Sequence, residues 1–318
     1  MTEVFWSYWY LAAERQAMFF RRLDGEPAPW TEDDVLRQYR FTNAYRASDR
    51  VSQYLLQHVI YSGDYDTDDI VLRVLLFKIF NRIETWECIT SSYGEVTAES
   101  FDPYAIGEAL STRFDEGHKL YSAAYIMPNP ALGHERKHLN HLHLLYQMLI
   151  RGSLEEIASA PTLRHLYERL LLVPSFGPFL AFQYAIDLNY SPCFDFTEMD
   201  HVVAGPGALR GIRKCFATTA GLDPPDVIRA MSEQADEFLE LAELDFTDLW
   251  GRRLQLIDCQ NLFCEVDKYA RVVYPRVGER GPTRIKQNYR PNPDPLRVGY
   301  PPKWELPASA ALLPRRKI

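Results

Sequence analysis

The sequence predicts an all-α fold, on three observations. Successive stretches read as helices, and proline, glycine or a capping residue separates them. One stretch, IVLRVLLFKIFNRIETWECI (70–89), is apolar nearly all round, as a central buried helix should be. No segment reads as a convincing strand, and no internal repeat is visible. The 318 residues suffice for a sizeable core, and 47% apolar with 25% charged residues is ordinary for a globular protein.

In chain order, residues 3–22 form a first helix rich in Phe5, Trp6, Trp9, Tyr10, Phe19 and Phe20, and the Gly and Pro content of 24–30 makes a loop. Thr31 with Glu32, Asp33 and Asp34 suits a helix start, with acids at the positive end of the dipole. A helix through 40–55 would put Arg46 and Arg50 on one face, with Asn43 near it. That row either holds an anion or a base edge, or is the charged side of a solvated helix. An acidic turn at 64–69 leads into 70–89, where Asn81, Arg82 and Glu84 form either a core salt-bridged set or the lining of a site. Helices over 102–126 and 138–151 flank the stop Met127-Pro128-Asn129-Pro130. Ser153 to Glu156 resembles a capping box. Further helices are expected over 163–172, 208–219, 225–241 and 247–270.

Nine of the 21 prolines lie beyond Arg271, so 273–318 is expected to be an extended tail on a helical domain spanning 1–272. From Arg271 onward the net charge is +8, which leaves −16 for 1–270 and −8 for the whole. The overall sign argues against simple coating of nucleic acid. The basic tail either tracks a phosphate backbone or balances charge as a solvated segment. No apolar run approaches the roughly 20 residues that span a bilayer, and the N-terminus does not read as a signal peptide. Cys88, Cys193, Cys215, Cys259 and Cys264 form no CxxC pair and read as free thiols of a reducing compartment. An intracellular protein is expected, cytoplasmic or, in a eukaryote, nuclear.

The chain is organised around 170–212. A helix (163–172) breaks at Val173-Pro174-Ser175-Phe176-Gly177 and restarts at Pro178, giving a hairpin near 163–190. Pro178 suits a first helical position, and Gly177 permits a tight turn and close approach by a ligand. An acidic residue, Asp200, and a Gly205-Pro206-Gly207 loop follow. Free amides at such helix starts are ready to hold a phosphate.

Three blocks then read together. They are Arg40-Phe41-Thr42-Asn43 with Arg46, Asp49 and Arg50; Gly177-Pro178-Phe179 with Gln183, Asp187, Asp200 and Gly205-Pro206-Gly207; and Cys264-Glu265-Val266-Asp267-Lys268-Tyr269. This combination resembles the alpha-glutamyl/putrescinyl thymine pyrophosphorylases, proteins of DNA base hypermodification. It is also similar to the helical domain of phage 5-hydroxymethyluracil DNA kinases, and both are related to helix-hairpin-helix DNA glycosylases. The resemblance implies a partner, DNA with modified pyrimidines, and no cofactor or metal. The GxxxxGK[ST] loop of a kinase is not found in the sequence.

By the same resemblance Asp200, with Glu198 and Asp195 in reserve, is the candidate carboxylate that stabilises an oxocarbenium-like sugar or activates water. The other reading of Asp200 is a helix cap. Phe179 stands where bifunctional glycosylases carry a lysine, so no lyase step is expected. Ser175, Gly177, Phe179, Gly205, Gly207, Arg46 and Arg50 are candidate DNA contacts; Asn43, Tyr45, Gln183, Asp187 and Lys268 are candidate pocket residues. Tyr45, Tyr54, Trp86 and Tyr184 either stack on a flipped base or fill the core. His134-Glu135-Arg136-Lys137-His138 matches HExxH, but Pro128, Pro130 and Gly133 precede it so closely that the helix is only starting there. Three functions stay open: a monofunctional base-excising glycosylase, a transferase attaching an amino acid or polyamine from a small donor to 5-phosphomethyluracil in DNA, and a non-catalytic reader of modified DNA.

Overall fold

A computed structural model describes residues 1–277, 284–292, 294–307 and 310. Its helices are α1 (Glu3–Leu23), α2 (Asp34–Gln38), α3 (Arg50–Tyr54), α4 (Thr67–Phe80), α5 (Ile83–Tyr93), α6 (Pro103–Asp115), α7 (Lys137–Ile150), α8 (Ser153–Ala158), α9 (Leu163–Leu171), α10 (Pro178–Asn189), α11 (Pro206–Cys215), α12 (Pro224–Glu233), α13 (Ala235–Leu241) and α14 (Leu256–Val273). A π-helical turn, Leu55–Ile60, follows α3. The fold is all-α: among the described residues the only β pairings are the isolated bridges Tyr39–Asn288 and Leu249–Arg252.

Several helix expectations need correction. The stretch 70–89 is two helices, because Asn81 turns left-handed (φ 47°) and caps α4, with its side chain accepting a hydrogen bond from Lys78 Nζ at 3.0 Å. Arg82 and Glu84 then pair at 3.3 Å near the surface and line no buried site. The helix from 103 ends at Asp115, just before Gly117 at φ 85°. The stretch 225–241 breaks at Gln234, and the helix expected from 247 starts only at Leu256. Ser153 is not a cap: Gly152 holds that place, whereas a capping box forms between Gln255 and Asp258.

The chain forms two compact units. The first comprises 1–49, 201–298 and 306–312. Its core is an aromatic cluster along α1: Phe5 meets Phe216 and Phe238 edge to face at 5.4 and 5.1 Å, and Tyr8 meets Phe263 at 4.7 Å. Against it, α11 lies on α14 in close contact. A Cβ on Gly211 would stand 2.0 Å from the Phe263 carbonyl oxygen, and one on Gly207 would stand 2.8 Å from Cys264 Sγ. Asp267 of α14 ties the same pair by accepting from Arg210 (3.0 Å), Lys214 (3.0 Å) and Arg271 (2.6 Å). Burial pushes the Asp267 carboxyl up, but hydrogen bonds from Arg271 and Lys214, with their charges, outweigh it and hold the carboxyl below the ordinary range.

Two more carboxylates of α14 hold the segment 40–49. Glu265 accepts from the Thr42 amide (3.0 Å) and Asp258 from the Arg46 amide (2.7 Å). Within the segment, Asp49 accepts from the Asn43 amide at 2.8 Å, and Arg15 of α1 donates to the Asn43 side chain at 2.9 Å. Burial raises the Asp49 carboxyl to about 6; the Asn43 amide opposes this, and the charge of Glu265 adds to it. Residues 284–292 also belong here: the Arg40 amide donates to Gln287 O and the Tyr289 amide to Gln38 O.

The second unit comprises 50–200, 299–305 and 313–318, of which 313–318 lie outside the described residues. Its centre is α4, buried without interruption from Ile70 to Phe80, with α10 buried from Leu180 to Asn189. Arg73 of α4 is inside this core. It donates to Val59 O (2.9 Å), at the end of the π-helical turn, and to Val96 O (3.0 Å). The tail enters this unit as well. The Lys303 ammonium donates to the carbonyls of Asn189, Ser191 and Phe194 at the end of α10. Lys303 is thus spent inside the protein, and of the other basic tail residues Arg280, Arg315, Arg316 and Lys317 lie outside the described residues.

Two outcomes follow. Gly211→Ala forces α11 off α14 and should destabilise by about 2–3 kcal/mol, a fall of about 5 °C or more in Tm, whereas Gly177→Ala, whose Cβ would meet nothing within 4 Å, should leave Tm nearly unchanged. Asp49 binds its proton more tightly in the folded state, so its contribution is full below the ordinary value of 3.8 and is lost as pH rises to about 6. The wild type should therefore lose Tm between pH 4 and 6.5 through this group, and Asp49→Asn should flatten that loss, in thermal melts across the range.

Candidate functional site

The hairpin exists as α9, a six-residue turn and α10. Ser175 in the turn is left-handed (φ 72°), a conformation that costs a non-glycine residue energy. Gly177 is exposed, has φ −75° and faces open space, so neither its backbone nor packing demands a glycine there. Pro178 is the first residue of α10, as expected.

Asp200 is exposed, and its carboxylate accepts from the Arg164 amide, at the start of α9, at 3.4 Å. It therefore acts as an added cap on the hairpin's first helix. Glu198 is buried and Asp195 exposed. Gly205 caps α11, which starts at Pro206, and Gly207 is where α11 meets α14, so its missing side chain is a packing requirement.

The pairing expected of Arg46 and Arg50 does not form. Arg46 opens a 3-10 turn, Arg46–Ser48, and is 2% exposed; Asp49 is extended, and Arg50 begins α3 as an exposed residue. The Asp258 carboxylate, by taking the Arg46 amide, fixes that turn in place of the continuous helix. Asn43 is engaged by Arg15, Asp49 and Ser48. The Tyr45 hydroxyl donates to Arg252 O at 2.6 Å and accepts from the Leu249 amide at 3.2 Å. Lys268 pairs with Glu265 at 2.6 Å and lies over the Phe41 ring. Two of the three family-like blocks, 40–49 and 264–269, are thus one polar clasp in the first unit.

The second unit holds a different cluster on the hairpin's second helix. Asp187 of α10 forms an ion pair with Lys78 of α4 at 2.9 Å, and the two side chains are 0% and 5% exposed. The Lys78 ammonium lies 4.7 Å from the Tyr125 ring centre. Tyr125 stacks on Phe179 of α10, with ring centres 5.8 Å apart and planes 20° apart. Both rings are half-buried, so the stack runs from the surface toward the ion pair. Tyr125 is left-handed (φ 55°), which for an aromatic residue costs of order 1–3 kcal/mol. Tyr184 and Gln183 are buried on the same helix, and Tyr184 stacks on Phe176 at 4.5 Å. Its hydroxyl has no hydrogen-bond partner among the described residues. Burial, with Asp187 nearby, raises its phenol well above the ordinary value.

Asp187, Gln183 and Phe179 were legible as candidates, but Lys78 and Tyr125 were not. A lone lysine within the apolar run 70–80 was the available signal for Lys78. The HExxH residues do not converge. His134 precedes α7 and packs on His143, while His138 bonds Ser111 at 2.9 Å. His141 bonds Tyr121 and Pro128 O. Among the described residues no three His, Cys, Asp or Glu side chains are placed to hold a metal, and no helix is long and apolar enough to cross a membrane.

Comparison with known proteins places this geometry in a family. The family model described as 5-hmdU DNA kinase, helical domain, matches residues 2–279. A 5-hmdU DNA kinase of Bacillus phage SP10 is 25% identical over 290 residues, covering 84% of this chain and 45% of that protein. The chain thus spans less than half the length of that relative. No solved structure matches. The family match takes in the hairpin, Asp200, the α14 clasp and the Lys78–Asp187 cluster, and the chain belongs to the family of 5-hmdU DNA kinase helical domains.

Proposed function

We propose that this chain engages DNA at 5-hydroxymethyluracil, or at a base derived from it, and presents that base for chemistry at its 5-substituent. The observation that carries the reading is the family match over 2–279, which includes every residue of the hairpin and its neighbouring clusters. The relative is a 5-hmdU DNA kinase, and the 318 residues here hold no GxxxxGK[ST] loop. The role this reading gives the stretch is recognition. A base must leave the stack to be worked on, and flipped bases are held by aromatic faces and polar edges. Tyr125 and Phe179, above Lys78 and Asp187, supply both in one unit.

A second reading, base excision, is favoured by one observation: Asp200 follows the hairpin and keeps its carboxylate exposed. Against it, that carboxylate already caps α9. The resemblance of the sequence blocks to thymine pyrophosphorylases would add a third chemistry, displacement at the 5-methylene by an amine.

Duplexes carrying a single 5-hydroxymethyluracil or thymine separate these readings. The expected result is a binding preference of about tenfold, or about 1.4 kcal/mol, for the modified duplex, with its nucleosides unchanged by mass spectrometry. Free modified base with abasic sites, abolished by Asp200→Asn, would establish excision instead. A heavier nucleoside appearing only with an amino acid or polyamine would establish transfer. Equal binding to both duplexes with no product would sink all three.

A further inference from the structure

The cluster on α10 has a hydrogen-bonding pattern as well as a position. Lys78 offers only donors, and an ionised Asp187 offers only acceptors. One helical turn before Asp187, Tyr184 carries a buried hydroxyl with no partner among the described residues. Buried polar groups are nearly always satisfied, and this hydroxyl is a donor still open to a partner. Residues three apart share a helix face, which sets Tyr184 beside Asp187. The stacked Tyr125 and Phe179 reach from the surface to this set, and Tyr125 is held there by a backbone conformation that bulky residues avoid.

We propose that Lys78, Asp187 and Tyr184 read the pairing edge of a uracil-type base whose ring lies against Tyr125 and Phe179. This rests on the reading that the chain engages 5-hydroxymethyluracil or a base derived from it in DNA, and it adds which residues tell that base from a cytosine. The uracil edge is acceptor, donor, acceptor: O4, N3–H and O2. Ammonium, carboxylate and phenol hydroxyl form its complement of donor, acceptor, donor. Cytosine presents an amino group and an unprotonated N3 instead, so its amino group would face the ammonium and its N3 lone pair the carboxylate. Of the three N–H groups of an ammonium, Asp187 and Asn81 each take one, and a carboxylate has about four lone-pair sites, so the pair has the capacity to hold a base as well. The 5-substituent lies off this edge, so these three residues distinguish uracil from cytosine and not hydroxymethyl from methyl.

Tyr184→Phe is the decisive variant. Asp187→Asn would strip Lys78 of its counter-charge and confuse folding with reading. Tyr184→Phe removes only a hydroxyl that the described residues leave unpaired, so Tm should hold or rise. The whole chain is titrated with otherwise identical duplexes bearing one 5-hydroxymethyluracil, one 5-hydroxymethylcytosine, one thymine or one cytosine. The wild type should prefer 5-hydroxymethyluracil to 5-hydroxymethylcytosine by tenfold or more. Tyr184→Phe should cut that preference by about three- to tenfold, the size of one lost hydrogen bond. Equal binding of both hydroxymethyl bases, each above its unmodified partner, would overturn the edge readout while leaving the proposed function standing. An unchanged preference in a folded Tyr184→Phe would do the same. Equal binding of 5-hydroxymethyluracil and thymine would overturn the proposed function, and equal binding of all four duplexes would overturn both.

Discussion

Three carboxylates on one helix organise the first unit. Asp258, Glu265 and Asp267 project from α14 and are nearly inaccessible to solvent. An uncompensated charge there would be strongly unfavourable, so each must find donors. Asp258 and Glu265 find them in the amides of Arg46 and Thr42, which are otherwise left without helical partners. Asp267 finds three cations, two of them on α11. The packing and the charges act on the same seam, because Gly207 and Gly211 let α11 approach until Arg210 and Lys214 reach Asp267. Widening the seam for a single methyl group would therefore disturb the ion network as well as the helix contact.

This explains why the motif-like block 40–50 is misleading when read as a helix. Its spacing puts Arg46 and Arg50 four apart, and nothing local forbids a helix. The Asp258 carboxylate is 212 residues away, and it captures the Arg46 amide that a continuous helix would have used. Local breaks were better marked. Pro178 opens α10 as expected, and Gly117 marks the end of α6 although the expected helix ran through it to 126; α11 closes at Cys215, short of the expected 219. Asn81 and Gln234 break helices with neither proline nor glycine, Asn81 helped by a hydrogen bond from the buried Lys78. The candidate site divides along the same line. Asp187, Gln183 and Phe179 were readable because one helix and one motif carry them. Lys78 and Tyr125 reach α10 from α4 and from the irregular stretch 116–136, a meeting that only tertiary structure creates.

In the second unit α10 is held at both ends. At its start, Phe176 of the hairpin turn stacks on Tyr184 and Phe179 stacks on Tyr125. At its end, Lys303 gathers the carbonyls of Asn189, Ser191 and Phe194, a cation at the negative pole of the helix. Tyr300 and Trp304 stack beside it, and Trp304 meets Tyr190 edge to face. The family model ends at residue 279, so this second anchor is supplied by residues outside the family match. Asp187 lies within the last turn of α10, two residues before Asn189. A hydrogen-bonding edge discriminates only if its groups stay within a few tenths of an ångström of their places. The tail residues 299–305 therefore do for Asp187 what the α14 carboxylates do for 40–49: they fix a polar group by satisfying the backbone around it.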